Sequence, residues 1–303
     1  MKNRLWAIST LLCAVLLTGC QNTQPVASTS ANSQTSSNII TESSNILSSE
    51  VEAEANIRTE DESSAADSSA VSKSESVSSG SSYTPPVLTC VPESEEAPSS
   101  FLNKAVFVGD SVTLKLKNYV TKKRKSDPNF FGTATFLAAG SMGSGNALQP
   151  LSEDSIHPYY NGKKELLEDS AAEMGVDKVY LMLGINDVAP YGVEGAANNL
   201  EKLAKRFTDK ISGVKIYIQS ATPMLADKQK KMLNNPNLER YNALLSEICQ
   251  KNGWYFLDVA SVMRDDTGAL KKEYCSDPDD LGLHFTDMAC EVWIHYILTH
   301  TGG

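Results

Sequence analysis

A doubly wound, parallel α/β domain is the fold class this sequence predicts, and three observations predict it. Short, nearly continuous apolar runs alternate with stretches of helical spacing. The runs are apolar on both sides, which implies a sheet covered by helices on both faces. Residues able to do chemistry sit just after several of the runs, and in such sheets ligands bind beyond the carboxyl ends of the strands.

The elements follow in order along the chain. Lys2 and Arg4 give a positive start, and Leu5 to Leu17 is an apolar core too short for a stable membrane span but long enough for a signal peptide. That run ends in Leu17-Thr18-Gly19-Cys20, which resembles a bacterial lipobox. Residues 1–19 are therefore expected to be removed and Cys20 to carry lipid, anchoring the chain outside the cytoplasm. Residues 20–100 are rich in Ser, Thr, Ala, Asn and Glu, with Tyr83 as the lone aromatic. Such a segment cannot offset its ordering entropy by burial, so it is expected to be a disordered tether. Of the formal net charge of −10, most lies there. The remainder, residues 101–303, is nearly neutral and gives no case for a nucleic-acid partner.

Within 101–303 the strands are expected at 104–108, 133–137, 178–183, 214–218 and 254–258. Helices are expected near 112–124, 162–174, 195–211, 236–252 and 287–299. Leu200, Leu203, Ala204 and Phe207 have the i, i+3, i+4, i+7 spacing of a buried helix face. Four short blocks follow strands or precede helices. They are Val108-Gly109-Asp110-Ser111, Ala139-Gly140-Ser141-Met142-Gly143, Gly184-Ile185-Asn186-Asp187 and Gly282-Leu283-His284-Phe285.

A serine hydroxyl needs a base before it becomes nucleophilic, and His284 has the ordinary pKa for that work. Ser111 falls between a strand end and a helix start, where backbone N–H groups and a positive helix end gather. The oxyanion of an acyl-transfer intermediate needs fixed donors, which the Gly140 N–H and the Asn186 amide can supply. Asp110 and Asp187 read as loop hydrogen-bonding residues. His157, His295 and His300 read as surface or packing residues, with His157 a weaker candidate for lining the cleft. No His/Cys cluster has metal-ligand spacing, so neither a metal nor a cofactor is expected.

The ordered blocks resemble the SGNH/GDSL hydrolases over roughly Ala105 to His300. The resemblance implies a flavodoxin-like three-layer α/β/α sandwich with about five parallel strands. It implies Ser111 as nucleophile, His284 as base, and the Ser111 N–H, Gly140 N–H and Asn186 side chain as the oxyanion hole. It also leaves a gap. The family's triad aspartate stands three residues before the histidine, where this chain has Leu281. The run Ser276-Asp277 is separated from Gly282-Leu283-His284 by Pro278 to Leu281, so Asp277, Asp279 or Asp280 is expected to orient the imidazole. Spacing favours Asp280 over Asp277, and a dyad with no carboxylate stays open. Ala138 stands where relatives often carry a polar residue. Cys275 and Cys290 flank His284 and are a candidate disulfide; Cys90–Cys249 is a weaker one.

The function expected is that of a surface-anchored, monomeric serine esterase acting on an acylated small molecule or polysaccharide, with O-deacetylation of carbohydrate as the leading chemistry. O-acetyl transfer would use the same residues. A non-catalytic glycan-binding lipoprotein on a hydrolase fold is the alternative of a different class, kept alive by Leu281.

Overall fold

The structure, a computed structural model, describes residues 83–302. The expected signal peptide, Cys20 and most of the tether lie outside them. Among the described residues no helix is long and apolar enough to cross a membrane.

The elements in chain order are β1 (Ala105–Gly109), α1 (Ser111–Lys123), β2 (Thr135–Ala138), α2 (Ser144–Ala147), β3 (Tyr159–Tyr160), β4 (Lys163–Lys164), α3 (Leu167–Met174), β5 (Lys178–Met182), α4 (Val188–Lys210), β6 (Lys215–Gln219), α5 (Asn235–Asn252), β7 (Tyr255–Leu257), α6 (Val259–Met263) and α7 (Asp287–Thr299). Five strands form one sheet in the order β2-β1-β5-β6-β7, every pair parallel. This is the flavodoxin-like order, with its reversal between β1 and β5. Helix α4 packs against α2, α3 and α5, and α7 against α1 and α6, giving the expected three layers.

One row of side chains ties the sheet together. At a single register, Phe136, Phe107, Tyr180, Tyr217 and Tyr255 stand side by side across all five strands. Their ring centroids are 5.6, 4.5, 4.4 and 4.6 Å apart in turn. Cross-strand aromatic pairs fix register as well as burying area, and register decides which residues end up at the strand tips.

Three expectations need correction. The stretch 162–174 is not one helix: β3 and β4 make a small antiparallel hairpin, with Asn161 and Gly162 both at positive φ in the turn, and α3 starts only at Leu167. Helix α4 begins at Val188 rather than 195, because a break at Gly192 (φ 69°) interrupts the apolar period that marks its later turns. The third correction is the domain boundary. Residues 83–97 form a strap on the folded unit. The Tyr83 hydroxyl donates to Glu239 at 2.6 Å, Thr89 exchanges hydrogen bonds with the Ser246 hydroxyl, and the Val91 N–H donates to Phe256 O at 2.9 Å. Ser94 and Ala97 donate to the last turn of α7. Val91 is buried in the core. The folded unit thus includes residues 83–97, ahead of Phe101. The strap uses single anchors in a polar sequence, so composition hides it.

A chain beginning at residue 98 is expected to be less stable than one beginning at residue 83. The difference should be roughly 2–3 kcal/mol, about the burial of one valine side chain plus part of Phe256, read as a lower urea midpoint.

Candidate active site

Ser111 is the first residue of α1, directly after the β1 tip. Asp110 caps that helix, its carboxylate accepting the Val112 N–H at 2.9 Å. The turn is tight enough to require glycine at position 109. A Cβ there would lie 2.0 Å from Thr113 Oγ1 and 2.7 Å from the Met182 carbonyl of the neighbouring strand. The helix start leaves the Ser111 N–H without an intrahelical acceptor.

Ser111 Oγ lies 2.8 Å from His284 Nε2, and His284 Nδ1 lies 2.7 Å from Asp277 Oδ2. The three groups form one line of hydrogen bonds. The carboxylate partner is therefore Asp277 and not Asp280, which is exposed and touches the site only through its backbone N–H on Asp277 O. The inserted residues 278–281 are extruded as a turn. Gly282, at φ 66°, returns the chain so that its N–H also reaches Asp277 O at 3.1 Å. Asp277 Oδ1 then accepts the Leu283 and His284 N–H groups at 3.1 and 2.9 Å. Linear spacing misleads here because the turn folds out of the path between acid and base.

Burial alone would raise the Asp277 pKa. The His284 N–H, the imidazole and the Cys275 thiol outweigh it and hold the carboxyl below its ordinary range. Cys275 Sγ sits 3.3 Å from Asp277 Oδ1, and Cys290 is a separate buried thiol of α7 whose pKa burial pushes up to about 12. The expected Cys275–Cys290 bridge is absent; both are free thiols, as are Cys90 and Cys249.

The other half of the site rests on two buried carboxyl groups. Asp187, fully buried, accepts the Ser144 and Gly145 N–H groups, each at 2.8 Å. This pins the start of α2 and with it the loop that carries Gly140. The approach is so close that a Cβ on Gly143 would fall 2.6 Å from Asp187 Oδ1. The Asn186 amide donates to Met142 O at 3.2 Å and to Asp110 Oδ2 at 3.4 Å, so it joins the first and second blocks. Gly140 is exposed, and a Cβ there would meet nothing within 4 Å, so its backbone fronts open space. The four blocks thus converge as expected, and the loop roles expected of Asp110 and Asp187 are the ones seen. Burial raises the pKa of both acids. For Asp110 burial and the neighbouring Asp187 carry it to about 7 against the opposing Val112 N–H.

Away from the cluster, His157 is a packing residue: it is buried, with Nε2 3.0 Å from Ala147 O. His295 pairs with Glu96 at the surface, and His300 stacks on Tyr296. Among the described residues no group of three or more His, Cys, Asp or Glu side chains could hold a metal.

The model of the GDSL-like lipase/acylhydrolase family matches residues 107–290, and the chain belongs to that family. Among solved structures it is similar to the lipase/acylhydrolase from Enterococcus faecalis, at 14% identity and a TM-score of 0.47 over 64% of this chain and 93% of that one. It is also similar to a catalytic mutant of an acetylxylan esterase from Geobacillus stearothermophilus, at 13% identity and a TM-score of 0.47 over 70% and 96%. A curated N-acylneuraminate cytidylyltransferase from Streptococcus agalactiae is 28% identical over 142 residues, 45% of this chain. The chain spans only 32% of that protein's length.

Two outcomes follow from this geometry. Asp277→Asn should lower kcat on an aryl acetate by about 10³–10⁴-fold, the scale set by misorienting a catalytic imidazole, while Asp280→Asn stays within about twofold of the parent. Steady-state kinetics of the two variants decides between the acids. The second concerns pH. The Asp110 pKa is raised on folding, so its contribution to stability is fully present below about 4 and lost as pH rises through about 7. Asp110→Asn keeps a capping side chain and removes the titration. Denaturant midpoints taken from pH 4 to 8 should therefore fall less steeply for the variant than for the parent.

Proposed function

We propose that the chain is an exported, lipid-anchored serine esterase that removes short acyl groups, acetyl foremost, from carbohydrate. The observation that carries the catalytic part is the unbroken line from Asp277 through His284 to Ser111 Oγ. In this reading His284 takes the Ser111 proton as the oxygen attacks the ester carbonyl. Asp277 holds the imidazole in the tautomer with Nδ1–H and offsets its charge once it is protonated. The oxyanion meets the N–H groups of Ser111 and Gly140, and the Asn186 amide joins them by turning one donor from Met142 O or Asp110. Collapse expels the alcohol, which takes the proton back from His284, and water then repeats the sequence on the acyl-serine.

Leu281 occupies the usual aspartate position, and Asp277 on the imidazole supports the catalytic reading over a non-catalytic one. Export and lipidation draw on the apolar segment ending in Leu17-Thr18-Gly19-Cys20, and the carbohydrate acceptor draws on that location.

Ser111→Ala should abolish acetate release from both para-nitrophenyl acetate and acetylated xylo-oligosaccharide, a loss of at least about 10³-fold. Retained turnover of either ester would remove the acyl-serine mechanism. Cys20→Ser should move the protein from the membrane fraction to the medium.

A further inference from the structure

A second feature adjoins the site. A groove of about 460 Å³ opens between α1 and the segments on either side of Asp277 and His284. On one wall stand Lys115, Asn118 and Lys122. They lie 4, 7 and 11 residues beyond Ser111, so they continue the same helical stripe. At a rise of about 1.5 Å per residue the stripe runs from roughly 6 to 16 Å beyond the serine. The opposite wall includes Ser276, next to Asp277, and Thr286, two residues past His284. Ser111, Asp277 and His284 do not line the groove themselves; it is walled by their near neighbours in the sequence.

Its charges are unequally matched. Lys122 Nζ pairs with Asp287, the one acid lining the groove among the described residues, at 2.7 Å, and just beyond the groove Lys123 pairs with Glu291 at 3.1 Å. Lys115 is half-buried and has no carboxylate within ion-pair distance among the described residues. The exposed Asn118 amide and Ser276 hydroxyl likewise make no side-chain hydrogen bond to the described residues. One uncompensated ammonium flanked by two neutral polar groups matches a ligand bearing a single negative charge and several hydroxyls.

We propose that this groove is a subsite for a monoanionic sugar unit, flanking the acylated unit in the substrate of the esterase, on whose assignment the kinetic half of this proposal rests. The anion is the carboxylate of a uronic-type residue or a phosphodiester link, and Lys115 is the residue that selects for it.

The experiment uses the full chain in its parent, Lys115→Gln and Lys117→Gln forms, Lys117 being an exposed α1 lysine outside the groove. Acetate release is compared for acetylated oligogalacturonide and acetylated xylo-oligosaccharide. Binding of unacetylated oligogalacturonide, a glycerol-phosphate diester oligomer and neutral xylo-oligosaccharide is measured by calorimetry in a Ser111→Ala background. We expect a preference for the acetylated galacturonide that resides in KM, weakens with salt, and falls roughly threefold to tenfold in Lys115→Gln but not in Lys117→Gln. Tighter binding of the galacturonide or of the diester identifies the source of the anion. Equal binding of the charged and neutral oligomers, or a preference untouched by Lys115→Gln, overturns the subsite. Because binding needs no turnover, a failure of the esterase assignment would show separately, as absent acetate release from every ester.

Discussion

The carboxylate of Asp277 is the contact on which the catalytic geometry depends. One oxygen accepts two backbone N–H groups, those of Leu283 and His284, and the other accepts the imidazole of His284. The same residue's carbonyl accepts Asp280 and Gly282. Asp277 therefore closes the loop that carries the base and orients the base itself. Hydrogen bonds to a charged acceptor are each worth about 1.5–3 kcal/mol, which suffices to define one conformation for a short exposed turn. Without that closure the imidazole would lose its orientation, since the loop's remaining anchors, such as Leu225 N–H on Gly282 O and Ser276 N–H on His284 O, are backbone contacts that leave the ring free to rotate.

The site contains two kinds of acid, and the difference organises it. Asp277 is partly solvated and richly donated to, so it stays charged and can balance an imidazolium. Asp110 and Asp187 are buried, and their pKa values move up. Their work is architectural. Asp110 caps the helix bearing the serine and receives the Asn186 amide, while Asp187 holds the N-terminus of α2. Asp110 thus ties its own block to the third, and Asp187 ties the third to the second, which helps stretches so distant in sequence assemble into one edge.

Much of this was legible in the sequence. The five apolar runs gave the sheet, because central parallel strands are buried on both faces and cannot alternate. Ser111, Gly140, Asn186 and His284 could be found because strand ends in this architecture all point one way. Asp277 could not be singled out, because the choice rested on counting residues, whereas the contact depends on a turn that Gly282 makes possible through its positive φ. The hairpin at 159–164 was signalled by Asn161-Gly162, the dipeptide suited to a turn with two positive φ angles, but its strands are only two residues long and carry no alternation. The early start of α4 was hidden by the break at Gly192, beyond which the apolar spacing becomes regular.

The strap has a consequence beyond stability. Strand β7 ends the sheet, and the Val91 backbone bond to Phe256 lies along its open side. Unpaired strand edges are templates for association between chains. A proteolytic cut ahead of Tyr83 would leave that edge occupied. A cut between Val91 and Ala97 would instead detach Val91 and leave the β7 edge open to its neighbours.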